Sequence, residues 1–194
     1  MKNRLFQTIS VKAPKKNLFD LSHERKMSLK PGYIYPMYLQ DVIPGDKFRV
    51  KSELFIRLAP MISPMMHNVN VYVHYFFVPM RLLWDEWEDF ITGGKDGLLA
   101  PTLPQYVISS ANYTLHQKGS LTDYLGVPTI EAGPCDNSLS ISILPMRAYA
   151  LIWDEYYRDQ NLHAKSKVTK DTVPYNPEKT DIYKLRYRDW ETKK

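Results

Sequence analysis

Cysteine is almost absent from this 194-residue chain, with Cys135 alone. One thiol closes no internal disulfide and builds no cysteine cluster, which excludes a stapled secreted scaffold and a zinc finger. Glycine is sparse too, with eight residues against fourteen prolines. Proline at about 7% exceeds the usual roughly 5% and, with fourteen tyrosines, predicts rigid loops between short strands. No uninterrupted hydrophobic run is long enough to cross a bilayer. Residues 58–80 carry no formal charge, but Pro60, Pro64, His67, Asn68, Asn70 and His74 interrupt them and their second half alternates at period two. The start, Leu5 to Val11, is too short and too polar for a signal-peptide core. What remains, 44% apolar, 13% aromatic and 24% charged, is the composition of a chain that buries a core.

The net charge of +5 is unevenly placed: residues 1–30 carry +6, residues 31–157 carry −5 and residues 158–194 carry +4. Two basic ends flank an acidic body, a distribution suited to a polyanionic partner and equally to solvated tails.

Along the chain, Phe48, Val50, Ser52, Leu54, Ile56 and Leu58 alternate with charged residues after a Pro44-Gly45 corner, predicting a half-buried strand. Val69 to Val78 is β-branched and aromatic, predicting a second strand whose far half is buried on both faces. Pro79 ends it and is suited to open a helix; Leu83, Trp87, Phe90 and Ile91 follow at helical spacing until Gly93-Gly94. The unit returns after 66 residues: Leu139, Ile141 and Ile143 alternate with serines, and Pro145-Met146-Arg147 repeats Pro79-Met80-Arg81 ahead of Tyr149, Ala150, Trp153, Tyr156 and Tyr157. Two copies with unequal internal spacing point to one local solution used twice, not a solenoid. The connection, residues 93–137, is far longer than the usual roughly 4–6 residues and must carry structure or function of its own. Within it Ser120-Leu121-Thr122-Asp123 fits a helix cap, and Gly126 with Pro128 fits a stop.

Catalytic chemistry is scarce. Asp85, Glu86, Glu88 and Asp89 lie on one short helix, whereas a glycosidase needs two carboxyl groups facing each other across a substrate; near a helix start they complement its dipole. His23-Glu24 lacks the second histidine of a metalloprotease helix, His67 and His74 would face opposite ways on one strand, and Gly93-Gly94-Lys95-Asp96 fails as a phosphate loop. Asn112-Tyr113-Thr114 is a glycosylation triplet without a secretory context. The chain reads as a non-enzyme with no metal and no cofactor. Basic residues interleaved with aromatics are more informative. Lys12, Lys15, Lys16, Arg25, Lys26 and Lys30, with Arg186 and Arg188 in the Tyr183–Trp190 stretch, could neutralise phosphates beside stacked bases; for the C-terminal stretch, packing onto its own domain is the competing reading. Pro79, Trp84, Trp87, Pro145 and Trp153 are the packing and assembly residues.

A set of longer motifs then becomes recognisable: Phe19-Asp20-Leu21-Ser22-His23, Asp41 to Asp46, Arg57 to Asn68, Tyr75 to Trp84, Gly119 to Pro128, and Leu144-Pro145-Met146-Arg147-Ala148-Tyr149 through Leu162. As a set they resemble the major capsid protein of microvirus-type single-stranded DNA bacteriophages, especially the gokushovirus branch. The resemblance implies a mainly β fold, an antiparallel eight-stranded viral jelly roll of which this is the N-terminal portion, with long loop insertions and short helices. It implies a capsid protein located in the virion and assembled in the bacterial cytoplasm. Its partners would be itself, in pentamers and a full T=1 icosahedral shell, the C-terminal remainder of the capsid protein, the single-stranded DNA genome and a small basic DNA-packaging protein, with no membrane. The organisation expected is a basic arm over 1–30, first jelly-roll strands plus a short helix over 31–92, an inserted loop over 93–137, a strand plus helix over 138–162 and a basic tail over 163–194. Two other classes stay open: a carbohydrate-binding jelly-roll module using Trp84, Trp87 and the tyrosine-rich loops, and a free nucleic-acid-binding protein.

Overall fold

The computed structural model describes residues 12, 14–108, 116–129, 139–166, 168 and 170. Cys135, the Asn112–Thr114 triplet and the Tyr183–Trp190 stretch with Arg186 and Arg188 lie outside them. Most of the described chain is non-helical, with one small antiparallel sheet and three helices: α1 Trp87–Thr92, β1 Gln105–Ile108, α2 Leu121–Tyr124, β2 Leu139–Ser142 and α3 Leu144–Ile152.

Proline and glycine punctuate as the sequence predicts. Pro44 and Gly45 turn the chain, with Gly45 at φ 93° and the Asp46 amide donating to the Ile43 carbonyl at 3.1 Å. Pro79 leaves extended backbone and opens a 3-10 turn, Met80–Leu82, before α1. α1 stops at Gly93, which has φ 77° and donates to the Asp89 carbonyl at 2.8 Å. A Cβ there would meet the Gly97 backbone at 3.0 Å, so glycine is required by both conformation and space.

The long connection does contain structure. β1 pairs with β2 in antiparallel register from Gln105↔Ser142 to Ile108↔Leu139, and buries Tyr106 and Ile108 while Gln105 and Val107 face outward. α2 starts as the capping sequence requires. The Ser120 hydroxyl accepts from the Asp123 amide at 3.4 Å, and the Asp123 carboxylate accepts from the Gly119 amide at 2.7 Å. Ser120→Ala should therefore destabilise this turn by about 1 kcal/mol, read as faster amide exchange over residues 121–125 with α3 unchanged.

β2 runs directly into α3, whose Pro145 sits in the first turn and whose buried stripe is Leu144, Met146, Arg147, Tyr149 and Ala150. A π-helical turn, Trp153–Tyr157, extends it. The core is small and gathers around α3. One cluster joins Tyr106, Ile108, Ile143 and Met146; a second joins Leu83, Trp84 and Leu144, flanked by Val78, Trp87 and Leu103.

The two strands predicted for 46–58 and 69–78 depart from expectation, since neither forms a paired strand among the described residues. They touch through the Ser52 and Tyr75 hydroxyls, 2.6 Å apart. Nor is the far half of 69–78 buried on both faces: Val73 and Val78 are half-buried and the other residues of the segment are exposed. On the even face His74 stacks on Tyr157, Phe76 packs on Tyr156 with ring centroids 4.9 Å apart, and Val78 joins the Trp84 cluster. On the odd face Val69, Val71, Tyr75 and Phe77 are exposed, Phe77 at 76%, while Val73 between them is half-buried. The expected burial on both faces is not seen: the even face makes the ring contacts yet stays partly exposed, and the odd face is covered only at Val73 among the described residues.

Candidate assembly surface and basic arm

The two Pro-Met-Arg copies pack against each other, and that contact organises the molecule. From the second copy, Arg147 is only 2% exposed and its Nη1 donates to the carbonyl of Leu83, in the first copy, at 3.0 Å. Trp84, fully buried at 0%, lies in the same cluster as Leu144, with Trp87 and Phe90 rings at 6.3 and 5.3 Å. Arg81, the counterpart of Arg147, is exposed, so equivalent positions in the two copies have opposite roles.

Beyond α3, Asp154 holds the following loop. Its carboxylate accepts from the Ser166 amide at 2.9 Å and from the Ser166 hydroxyl, and it faces the Arg158 guanidinium at 3.7 Å. Trp153 is buried and meets the His163 ring edge-on at 6.2 Å. Tyr149 reaches the other way, donating its hydroxyl to the Ile34 carbonyl at 2.9 Å; burial, with Tyr35 and Tyr157 nearby, pushes its phenol well above the ordinary tyrosine range.

Of the packing residues chosen from sequence, Trp84 is buried and Trp87 half-buried in one cluster, Trp153 is buried against His163, and Pro79 and Pro145 stand at the starts of the two turns. The indole of Trp84 is closed to a sugar ring, which removes the main stacking residue of the carbohydrate-binding alternative. Arg147 and Asp154 were not singled out by sequence. A signal for them exists, because the apolar stripe 143, 146, 150, 153 places 147 and 154 on the same helical face, so each is a charge written into a buried stripe.

The basic arm divides into two kinds of residue. Lys12, Lys15, Lys16, Lys26 and Lys30 are exposed. Arg25 is committed within the chain, donating from Nη1 to the Met37 carbonyl at 2.7 Å and from Nη2 to the Tyr124 carbonyl at 2.5 Å. Tyr124 answers by donating its hydroxyl to the Ser28 carbonyl and packing on Tyr35 with centroids 4.6 Å apart. Residues 25–37 are thereby fastened to α2. Earlier in the arm, the Ser22 hydroxyl and amide hold the Asp20 carboxyl below its usual range.

Among the described residues no group of histidine, cysteine and carboxylate side chains is arranged to hold a metal, and no helix is long and apolar enough to cross a membrane. Among the described residues an apolar set stands exposed on the extended segments: Phe48, Val50, Leu54, Phe55 and Ile56, then Val69, Val71, Tyr75 and Phe77. A set of this size on consecutive segments marks an interaction surface.

Known proteins give the same reading as the motifs. The family described as "Capsid protein (F protein)" matches residues 7–193. The capsid protein VP1 of Chlamydia phage 1 is 36% identical over 183 residues, covering 90% of this chain and 29% of that protein. The VP1 proteins of Bdellovibrio phage phiMH2K and Spiroplasma virus 4 are 34% and 28% identical, over 81% and 78% of this chain and 28% and 27% of their own lengths. The chain thus spans less than a third of these relatives. With the family matched across nearly every residue, this chain belongs to the phage capsid protein (F protein) family.

Proposed function

We propose that the chain is the N-terminal part of a structural major capsid protein that self-assembles, in the virion, into a small icosahedral shell around a single-stranded DNA genome. The observation that carries this is the family match over residues 7–193, joined by 36% identity to a capsid protein VP1. The surface agrees with it. Exposed apolar residues at 69, 71, 75 and 77, and extended segments at 46–58 and 69–78 that have no ladder among the described residues, suit the edges and inner faces that a jelly roll closes by pairing with further strands. The remainder of the same capsid protein is the proposed source of those strands, and like subunits complete the shell. The packed unit around Trp84 and Arg147 joins the end of the 69–78 segment to α3. Co-expression of this chain with the remainder of a VP1-type protein tests the reading by electron microscopy. Closed particles of uniform diameter containing both segments are expected, and soluble material that never assembles would overturn it.

The exposed lysines of the arm are proposed to face the genome and contact phosphates without reading sequence, as a shell must package whatever its genome encodes. Arg186 and Arg188 are proposed to join them, together with a small basic packaging protein. Binding of the assembled inner surface to single-stranded DNA should weaken with salt, with a log–log slope of about −0.7 per phosphate contact. Lys15→Gln with Lys16→Gln should reduce the slope by about 1.4. A slope unchanged by the double substitution would remove these lysines from the interface, and a map placing residues 12–30 on the outer surface would do the same.

A further inference from the structure

We propose that His116 is a pH-sensitive latch that locks β1 to α2 while its imidazole is neutral and lets this part of the long connection open when the imidazole is charged. The geometry is that of a buried polar pin. His116 is 0% exposed, its Nε2 lies 3.0 Å from the Tyr106 hydroxyl of β1, and its Nδ1 lies 3.0 Å from the Thr122 hydroxyl of α2. Tyr106 and Thr122 are each 1% exposed, and the Tyr106 ring packs on the imidazole with centroids 5.3 Å apart. Thr122 is itself bonded to the capping Ser120 at 2.9 Å, so the imidazole reaches the start of α2 as well.

No counter-charge is built for an imidazolium among the described neighbours. On α2 the Asp123 carboxylate is turned to the Gly119 amide, and on the histidine's own loop Lys118 is exposed. On α3, which packs on Tyr106 through Met146, the Arg147 guanidinium is directed at the Leu83 carbonyl and the Tyr149 hydroxyl at the Ile34 carbonyl. Leu125 and Val127 pack on the apolar cluster that contains Tyr106. Protonation brings no anion to the ring, whose two nitrogens still face hydroxyls. It buries an unpaired positive charge instead, and burial accordingly pushes the His116 pKa below its ordinary value. Since the folded pKa lies below that of the open state, the latch is fully effective above about pH 6.5 and weakens as pH falls through the folded value.

The consequence is local. β1 is held by its ladder with β2 and by this pin, while α3 shares the Met146 contact with Tyr106 but has further anchors of its own in Arg147 and the Trp84 cluster. Acid should therefore loosen β1 and α2 before α3. The experiment is amide hydrogen exchange on the purified full chain at about pH 7.5 and about pH 5, with times scaled for intrinsic exchange and the association state matched by light scattering. A several-fold loss of protection over 105–108 and 121–125 at the lower pH, with 146–152 unchanged, is expected. His116→Gln keeps an amide donor and acceptor without a titrating charge and should abolish the pH response, while His67→Gln, at an exposed histidine, should preserve it. Equal protection at both pH values, or a response that survives His116→Gln, overturns the proposal. Should that variant fail to fold, ring NMR of the wild-type chain decides. A His116 resonance that titrates together with the loss of protection supports the latch, and one that charges with no change in protection refutes it.

Discussion

Replacing Trp84 with Ala is expected to cost about 3–5 kcal/mol, a large share of the roughly 5–15 kcal/mol that holds a typical domain together. The indole is fully buried at the junction of the two Pro-Met-Arg copies, against Leu83 and Leu144, with Met80, Leu103, Ala148 and Leu151 closing the wall. Two consequences combine in the loss: apolar area returns to water, and the cavity left behind removes packing partners from Phe90 and Trp87. The cavity adjoins the carbonyl of Leu83, which receives the Arg147 guanidinium, so collapse at Trp84 would disturb a charged group only 2% exposed. Trp84→Phe should cost much less, because a ring still fills most of the space. Thermal scans of assembled particles, with soluble yield as a second measure, check the order wild type, Trp84→Phe, Trp84→Ala. Equal melting for all three would mean that this junction does not hold the fold.

How much of this was legible beforehand depends on the range of the interaction. Signals written in a few neighbouring residues came through: the Pro44-Gly45 turn, the stop at Gly93, the Ser120 cap, the short strand at 139–142 and the helix opened by Pro145 all form where spacing and turn chemistry place them. β1 was missed. Only four residues long, with Pro104 immediately before it, it offers too few alternations to stand out in a 45-residue connection, and its strand character comes from pairing with β2 more than thirty residues away. The long-range pins were invisible for the same reason. Arg25 finds Tyr124 and Tyr149 finds Ile34 across about a hundred residues, and His116 is a lone histidine until the fold closes Tyr106 and Thr122 around it. Conversely, the strongest strand patterns in the sequence, at 46–58 and 69–78, have no ladder among the described residues, because alternation encodes a face to be buried and says nothing about which residues bury it.

That mismatch sets the other large effect: expressed by itself, the 194-residue chain is expected to self-associate rather than remain a monomer. Phe55 is 94% exposed, Phe77 76%, and Val50, Ile56, Val69, Val71 and Tyr75 are exposed too, on extended backbone with no ladder among the described residues, the combination that templates edge-to-edge pairing. Light scattering should report masses well above the monomer, and denaturant unfolding should be broad for the extended segments and steeper for the α3 unit. The two faces of 69–78 separate this cause from general instability. Phe77→Lys places a charge on the uncovered face, where it obstructs pairing without touching the core, and should shift the chain toward monomer. Phe76→Lys places the same charge where the ring packs on Tyr156 and Tyr157, and should instead loosen the packing and leave association in place or worsen it. A wild-type chain that stays monomeric with one sharp transition would show that the apolar face needs no partner strands, and the reading of 46–58 and 69–78 as jelly-roll strands awaiting the rest of a capsid protein would fall with it.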